Sequence, residues 1–395
     1  MTPPISSPTA DSLAGCSSAA ITDAISKVHI SLVRVPLEAA TSDAKVLTGR
    51  QKPLTEIGLL VAEISTETGR EGIGFSYAKR AGGPAMFAHA REIAGELIGE
   101  DPNDIARLWE KLVWAGASMG RAGSSTQAIA AFDIALWDLK AKRADLPLAK
   151  LLGAQRDSVR CYNTSGGYLS ASVERVLENA ELSRSRGIGG IKIKVGQPDV
   201  REDLRRVESV REHLGDEFPM MVDANQQWDR ATARRTGRAL EQFGLAWIEE
   251  PLDCQDVTGH ARLTAALDTP IATGEMLTSV DEHWNFMRHD GSDYVQPDAP
   301  RVGGITPFLR IAALSEHRKL ALAPHFAMEV HLHLAAAYSG TTWVEHFEWL
   351  EPAFNERLEV RGGRMIVPNR PGLGLSLSEQ ARAWTGAETT AAEPA

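Results

Sequence analysis

"PMMVDANQQ" (219–227) is a short apolar run that stops on a carboxylate, Asp223, and a carboxamide, Asn225. Alone it reads as one buried strand opening into a polar turn. The same form recurs in "VRCYNTSGG" (159–167), "IKIKVG" (191–196), "LAWIEEP" (245–251), "PIATGEM" (270–276), "DYVQPDAP" (293–300), "LALAPHF" (320–326) and "TWVEHF" (342–347). Helical patterns lie between them. "REDLRRVESVREHLG" (201–215) sets Leu204, Val207, Val210 and Leu214 on one face and stops at Gly215. Eight such strands alternating with helices predict an α/β fold, a (β/α)8-type barrel over 155–360. Such barrels keep their active sites at the C-terminal strand ends, where this chain places its polar residues.

Working outward, residues 23–154 have a different texture. "KVHISLVRV" (27–35) alternates, and "IGLLVAEISTETGREGIGFSY" (57–77) reads as a hairpin turning near Gly69 and Arg70. Helices follow, with Ile105, Leu108 and Leu112 on one stripe and Ile129, Phe132, Ala135, Leu136 and Leu139 on another. Strands followed by helices predict an α+β capping domain. Beyond the barrel, 361–385 is expected to return to the cap. Stretches 1–22 and 386–395 are expected to be disordered tails.

Composition bounds the function. The chain of 395 residues is 43% hydrophobic and 24% charged, ordinary for a soluble enzyme. A formal net charge of −10 disfavours nucleic acid, and an anionic substrate would need local positive charge. No apolar run approaches the roughly 18 residues of a membrane span. The N-terminus shows no secretion signal. Cys16, Cys161 and Cys254 lie far apart, which fits a reducing cytoplasm.

The strand ends carry the chemistry. Asp223, Glu249 and Glu275 end consecutive strands at intervals of 26 residues, one strand-helix unit. Brought to one rim with Asn225 beside them, they make an all-oxygen site suited to Mg²⁺. Lys192 and Lys194 share one face of their strand because side chains two apart point the same way. His325 and Asp298 end neighbouring strands, an arrangement of base and orienter. His331 and His333, past the strand, read as structural. Glu345 can hydrogen-bond a substrate oxygen if protonated, or simply hold a neighbour in place.

The phrases "KIKVG", "VDANQQW", "WIEEP", "TGEM", "QPDAPRVGGIT" and "APHF" resemble the enolase superfamily, mandelate racemase subgroup. Muconate-lactonising relatives place a lysine where this chain has Asp298, and glucarate dehydratases usually place Asn where it has Glu275. "DAKVLTGRQKP", "GFSYAKRAGGP", "CYNTSGG" and "PHFAMEVHLHLAAAY" resemble the acid-sugar dehydratases of the subgroup. The resemblance implies one Mg²⁺ per subunit on Asp223, Glu249 and Glu275, and a homo-oligomer, often an octamer. It also implies that Lys45, Lys79 and Arg80 in the cap hold substrate, with Lys192, Asn225 and Glu345 in the barrel.

Removing a proton beside a carboxylate makes a doubly charged enediolate, which a divalent cation stabilises. A lysine base near pH 7 must lose roughly three units from its usual value of about 10.4. Lys192 is expected to depress Lys194 in this way, leaving Lys194 as one base and His325 as the other. The same enediolate leads to racemisation or to dehydration. Cationic cap loops suit a dicarboxylate. The resemblance to the acid-sugar dehydratases then implies dehydration of galactarate and L-talarate to 5-dehydro-4-deoxyglucarate; the alternative is a racemase, an epimerase or a dehydratase of another acid sugar.

Overall fold

The computed structural model describes residues 23–41 and 43–392. The expected N-terminal tail lies outside the described residues. In the cap, β1 (Ile25–Thr41), β2 (Leu54–Thr66) and β3 (Glu71–Lys79) are antiparallel. β2 and β3 form the expected hairpin, from Ile57 opposite Lys79 to Ser65 opposite Glu71. Its turn passes through Gly69 at φ +79°. One set of strand residues (Ile25, Val28, Ile30, Leu60, Ala62, Ile64) packs with the cap helices Gly83–Ile93, Ile105–Ala115 and Ser124–Arg143. A second set, including Val33, Val35, Leu59, Phe75 and Tyr77, is continuous with barrel residues such as Val295, Phe308 and Phe326. Cap and barrel thus share one apolar core. A Cβ on Gly74 would lie 2.2 Å from the Ala131 carbonyl oxygen, so only glycine lets β3 lie this close to the long helix.

The eight expected barrel strands are all present: β4 (Ser158–Asn163), β5 (Ile191–Lys194), β6 (Met220–Asp223), β7 (Ile248–Glu249), β8 (Ile271–Thr273), β9 (Tyr294–Val295), β10 (Ala321–Leu322) and β11 (Trp343–His346). They pair in chain order, all parallel, and β11 lies beside β4. No ladder joins β10 to β11. There the ring is held by a single bridge, Leu322 to Thr342, and a 3.0 Å bond from the Leu322 N–H to the Thr341 carbonyl. Tyr162, Met221, Trp247, Ala272, Ala323 and Trp343 cluster as a buried plug. The apolar floor leaves the charged strand ends facing the cap.

At the C-terminus the chain reaches the cap by way of the barrel, and one expectation needs correction. The segment 361–385 begins on the barrel, not the cap. β12 (Glu359–Arg361) and β13 (Arg364–Ile366) form a hairpin, and β13 runs antiparallel to β4. Only later does the chain reach the cap, where the Leu373 N–H donates to Asp138 at 2.7 Å. Residues 386–392 are not a disordered tail: β14 (Thr385–Ala392) pairs with β1 from Val33 opposite Thr385 to Lys27 opposite Ala392. The cause is the long β1, whose outer edge is a row of backbone donors and acceptors seeking a partner. "TGAETTAA" has no apolar alternation to reveal this, because neither of its faces is deeply buried. Ending the chain after Trp384 is expected to lower the melting temperature, each lost ladder bond contributing about 0.5–1.5 kcal/mol. An unchanged melting curve would contradict the pairing.

Candidate active site

Side-by-side residues of parallel strands point the same way. Lys194 lies opposite Asp223, and Asp223 opposite Glu249. Glu275 joins them from just past β8, through Gly274 at φ +141°, where a Cβ would meet the Gln296 backbone at 2.9 Å. Asp223, Glu249 and Glu275 are buried, and each offers an oxygen within 4.8 Å of the others. The buried Asn225 Oδ1 beside them has no hydrogen-bond partner among the described residues. Converging carboxylates with no soft ligand fit a hard divalent cation such as Mg²⁺.

The carboxylates are held by the chain's own donors. Glu249 accepts from the Trp247 indole at 3.1 Å and the Gln296 amide at 2.6 Å. Asn225 gives Asp223 its backbone N–H at 2.8 Å and its side-chain amide at 3.1 Å. Lys192, 1% exposed, lies 2.5 Å from Glu249 and 3.0 Å from Glu345, and Lys194 pairs with Asp223. These contacts overturn the expected depression of Lys194. Burial pushes its pKa down and the Lys192 charge adds to this, but the carboxylates of Asp223, Glu275 and Glu249 together hold it above the ordinary lysine value. Lys192 is also held high: burial opposes its charge, and Glu249 and Glu345 more than restore it. Glu345 takes the role of holder. Burial raises its pKa, yet Lys192 and His325 bring it down to about 2. It accepts from Thr164 at 2.5 Å and from the Phe326 N–H at 2.6 Å.

His325 and Asp298 meet as expected, Nδ1 to Oδ2 at 2.7 Å, while Nε2 lies 3.3 Å from Glu275. His331 and His333 are structural: one accepts from the Ala299 N–H at 2.9 Å, the other from the Ala149 N–H at 3.2 Å. Several residues beside the site groups are left-handed without being glycine: Arg80 (φ 65°), Asn225 (43°), Glu250 (38°) and Phe326 (62°). Such backbone persists only where surrounding contacts over-determine it. The Phe326 N–H bond to Glu345 is one such contact.

A cavity of about 280 Å³ opens between barrel and cap, lined by Lys192, Lys194, Asn225, Glu275, His325 and Glu345. Lys45, Lys79 and Arg80 line its cap side. Arg80 is engaged by the neighbouring loop, donating to the Lys52 carbonyl at 2.7 Å and lying 3.3 Å from Asp43. The Lys79 ammonium sits over the rings of Phe326 (4.4 Å), Tyr77 (5.6 Å), Trp349 (5.7 Å) and Phe347 (5.9 Å). Burial drives its pKa down to about 8, against the pull of Glu275. Sequence reading missed Tyr77, Gln127, Tyr168, Arg301 and Trp349, which also line the cavity. Tyr77 and Arg301 lay inside the quoted "GFSYAKR" and "QPDAPRVGG"; an aromatic on an alternating strand reads as core.

The fold and site define a capped-barrel enzyme that sets acid/base groups around a carboxylate metal cluster. Comparison with known proteins agrees. Residues 50–153 match the mandelate racemase / muconate lactonizing enzyme N-terminal domain, and residues 175–381 match the enolase C-terminal domain-like family. The chain belongs to the enolase superfamily, in its mandelate racemase subgroup. It is 65% identical to L-talarate/galactarate dehydratase of Salmonella typhimurium strain LT2, over 92% of this chain and 91% of that one. The crystal structure of L-talarate dehydratase from Polaromonas sp. JS666, complexed with Mg and L-glucarate, is 66% identical with a TM-score of 0.92, covering 94% of this chain and all (100%) of that one. A 3,6-anhydro-alpha-L-galactonate cycloisomerase of Streptomyces coelicolor is 36% identical, over 89% of this chain and 97% of that one.

The enclosed Lys79 gives a pH prediction. Below about pH 8 its ammonium is charged and attracts an anion; above, it is neutral. Affinity for a dicarboxylate, followed by calorimetry, should therefore fall as pH rises through that region. In Lys79→Met the step should vanish; a step of the same size in the variant would assign it elsewhere.

Proposed function

We propose that this protein is a Mg²⁺-dependent hydro-lyase that converts galactarate and L-talarate to 5-dehydro-4-deoxyglucarate. The observation that carries the reading is the pair Lys194, at the end of β5, and His325, just past β10, across the barrel mouth, with the Asp223, Glu249, Glu275 cluster beside them and cap cations opposite. Two of the relatives named above are dehydratases of such sugars, and one of these is complexed with Mg and L-glucarate. When bound, the cation shares the carboxylate charge that otherwise holds the lysines protonated, and stabilises the charge that builds on the substrate carboxylate.

The chain's own residues do the rest. Lys192 and Asn225 orient the carboxylate next to the reacting carbon. Lys194 takes the α-proton from one face. The β-hydroxyl leaves as water with a proton from His325, and the resulting enol rearranges to the keto acid. With the epimer of opposite configuration, His325 faces the α-proton. Asp298 holds the imidazole, and Glu345 holds Lys192. Lys45, Lys79 and Arg80 meet the far carboxylate. Returning the proton to the opposite face would instead epimerise the sugar, and the cycloisomerase relative marks how far chemistry varies on this scaffold. The enclosed Lys79 ammonium favours a diacid over that reading. The protein is further proposed to be a cytoplasmic homo-oligomer, an octamer by family resemblance. Among the described residues no helix is long and apolar enough to cross a membrane, and exposed Trp114 and Met119 offer apolar contact surface.

Turnover of galactarate and L-talarate should vanish with EDTA and return with Mg²⁺; full activity after exhaustive chelation would refute the reading. Lys194→Ala and His325→Asn should each abolish dehydration while the protein stays folded. In D₂O each should lose α-deuterium exchange with one epimer only. The lid makes a separate demand. Lys79→Ala with Arg80→Ala should cut kcat/KM for hexarates by roughly 10- to 150-fold, mainly through KM, the loss of a charge-assisted bond. A six-carbon monoacid should hardly notice the change. Equal losses on both would leave the lid as a water barrier only.

A further inference from the structure

The geometry points to Tyr77, a residue of the cap, as a positioning residue for the barrel's acid/base pair; the inference rests on the acid/base reading given above. Tyr77 comes from β3, yet its hydroxyl donates to Asp298 Oδ2 at 2.5 Å. That same oxygen lies 2.7 Å from His325 Nδ1, and the phenol oxygen itself lies 3.4 Å from the ring nitrogen. The Arg301 Nε–H donates to the phenol oxygen at 3.4 Å, and the Gln127 amide donates to the Tyr77 carbonyl at 3.3 Å. The Tyr77 ring meets Phe326, the residue after His325, edge to face at 4.6 Å. Tyr77 therefore fixes the pair twice, through the carboxylate that holds the imidazole and through packing on the next side chain. Burial and the Asp298 charge both keep the phenol protonated, so it remains a donor.

The arrangement is asymmetric. Lys194 is anchored by Asp223 within the barrel. His325 is anchored by a carboxylate that the cap completes. Tyr77 also stands two residues before Lys79 on the strand that reaches the lid. A cap displaced from the barrel would release both the far-carboxylate cations and the aim of His325, while leaving Lys194 in place. One of the two proton-transfer arms is thus tied to cap docking.

Tyr77→Phe removes only the hydroxyl and keeps the ring on Phe326. In the Mg²⁺-loaded enzyme in D₂O, α-deuterium exchange of the epimer served by Lys194 should stay within about twofold of wild type. Exchange of the epimer served by His325 and the kcat of dehydration should fall about 10- to 100-fold, the range expected for losing a hydrogen bond to a charged group, with KM unchanged. In an Asp298→Asn background Tyr77→Phe should add little, because both changes act through one carboxylate. Equal loss on both faces, a rise in KM alone, no change, or full additivity with Asp298→Asn would each overturn the role. Should Tyr77→Phe not fold, 4-fluorophenylalanine at position 77 fills nearly the native shape without a donor. It should show the same selective loss, and its absence would also count against the role. A wild type that exchanges neither epimer would overturn the acid/base reading, and this inference with it. Exchange of both epimers by wild type, with a loss in the variant that ignores the face, overturns the role of Tyr77 alone.

Discussion

Buried negative charge at the barrel mouth is the constraint on which the rest of the structure depends. Asp223, Glu249, Glu275, Asp298 and Glu345 are all no more than 8% exposed. Taking each from water costs several kcal/mol unless partners meet it. Every one is met: Asp223 by Asn225 and Lys194, Glu249 by Trp247, Gln296 and Lys192, Glu345 by Thr164, Phe326 and Lys192. Glu275 has His325, and Asp298 has His325 and Tyr77. Burial pushes Glu249 up to about 7 in spite of Lys192, with neighbouring carboxylates adding to the rise. Glu275 goes the other way: burial raises it, and the charges of His325, Lys45, Lys194 and Lys79 hold it well below the ordinary range. The cluster is thus strongly polarised, with cations reaching it from the barrel and from the cap.

That polarity explains why the barrel needs its cap. The strand ends cannot be left open to water without weakening the electrostatics on which the proposed proton abstraction depends. The cap closes them through a shared apolar core and through buried polar clasps. Asp133 accepts from the Thr306 N–H at 2.9 Å and its hydroxyl at 2.6 Å, and the Trp109 indole donates to the Gly303 carbonyl at 2.8 Å. Both clasps grip the turn just beyond Asp298. The turn that follows the orienting carboxylate is therefore also one that the cap holds.

Some of this was legible in the sequence, for identifiable reasons. Charge at the end of an apolar run is conspicuous, and repetition at one strand-helix interval places Asp223, Glu249 and Glu275 on one rim. Asp298 and His325 were legible in the same way, because neighbouring strands converge. The protonation of Lys194 was not. It depends on which carboxylate the ammonium touches across the ladder, and spacing told only that Lys192 shares its face. β14 was illegible because an edge strand of threonines and alanines carries no apolar alternation; the partner edge of β1 made it a strand. The lid cations were legible as candidates, but the engagement of Arg80 by Asp43 and Lys52 depends on a loop closing back on its neighbour. Tyr77 looked like any core aromatic, since its partner lies 221 residues away in the barrel.

The same physics that organises the barrel also bears on substrate choice. Lys79 has an ammonium wrapped in aromatic rings, and its pKa is driven down to about 8, first of all by burial. Ring faces attract a cation but replace its hydration only in part, by about 0.5–2 kcal/mol. Glu275 pulls the pKa upward from the far side of the cavity, yet not enough to restore it. A carboxylate arriving beside Lys79 supplies the missing counter-charge, and its own desolvation is offset by the cation waiting there. A neutral hydroxymethyl group at that position would meet the same desolvated cation with nothing to balance it. On the proposed reading, discrimination between a diacid and a monoacid follows from one incompletely compensated, half-buried charge, with no need for a steric barrier against the smaller group.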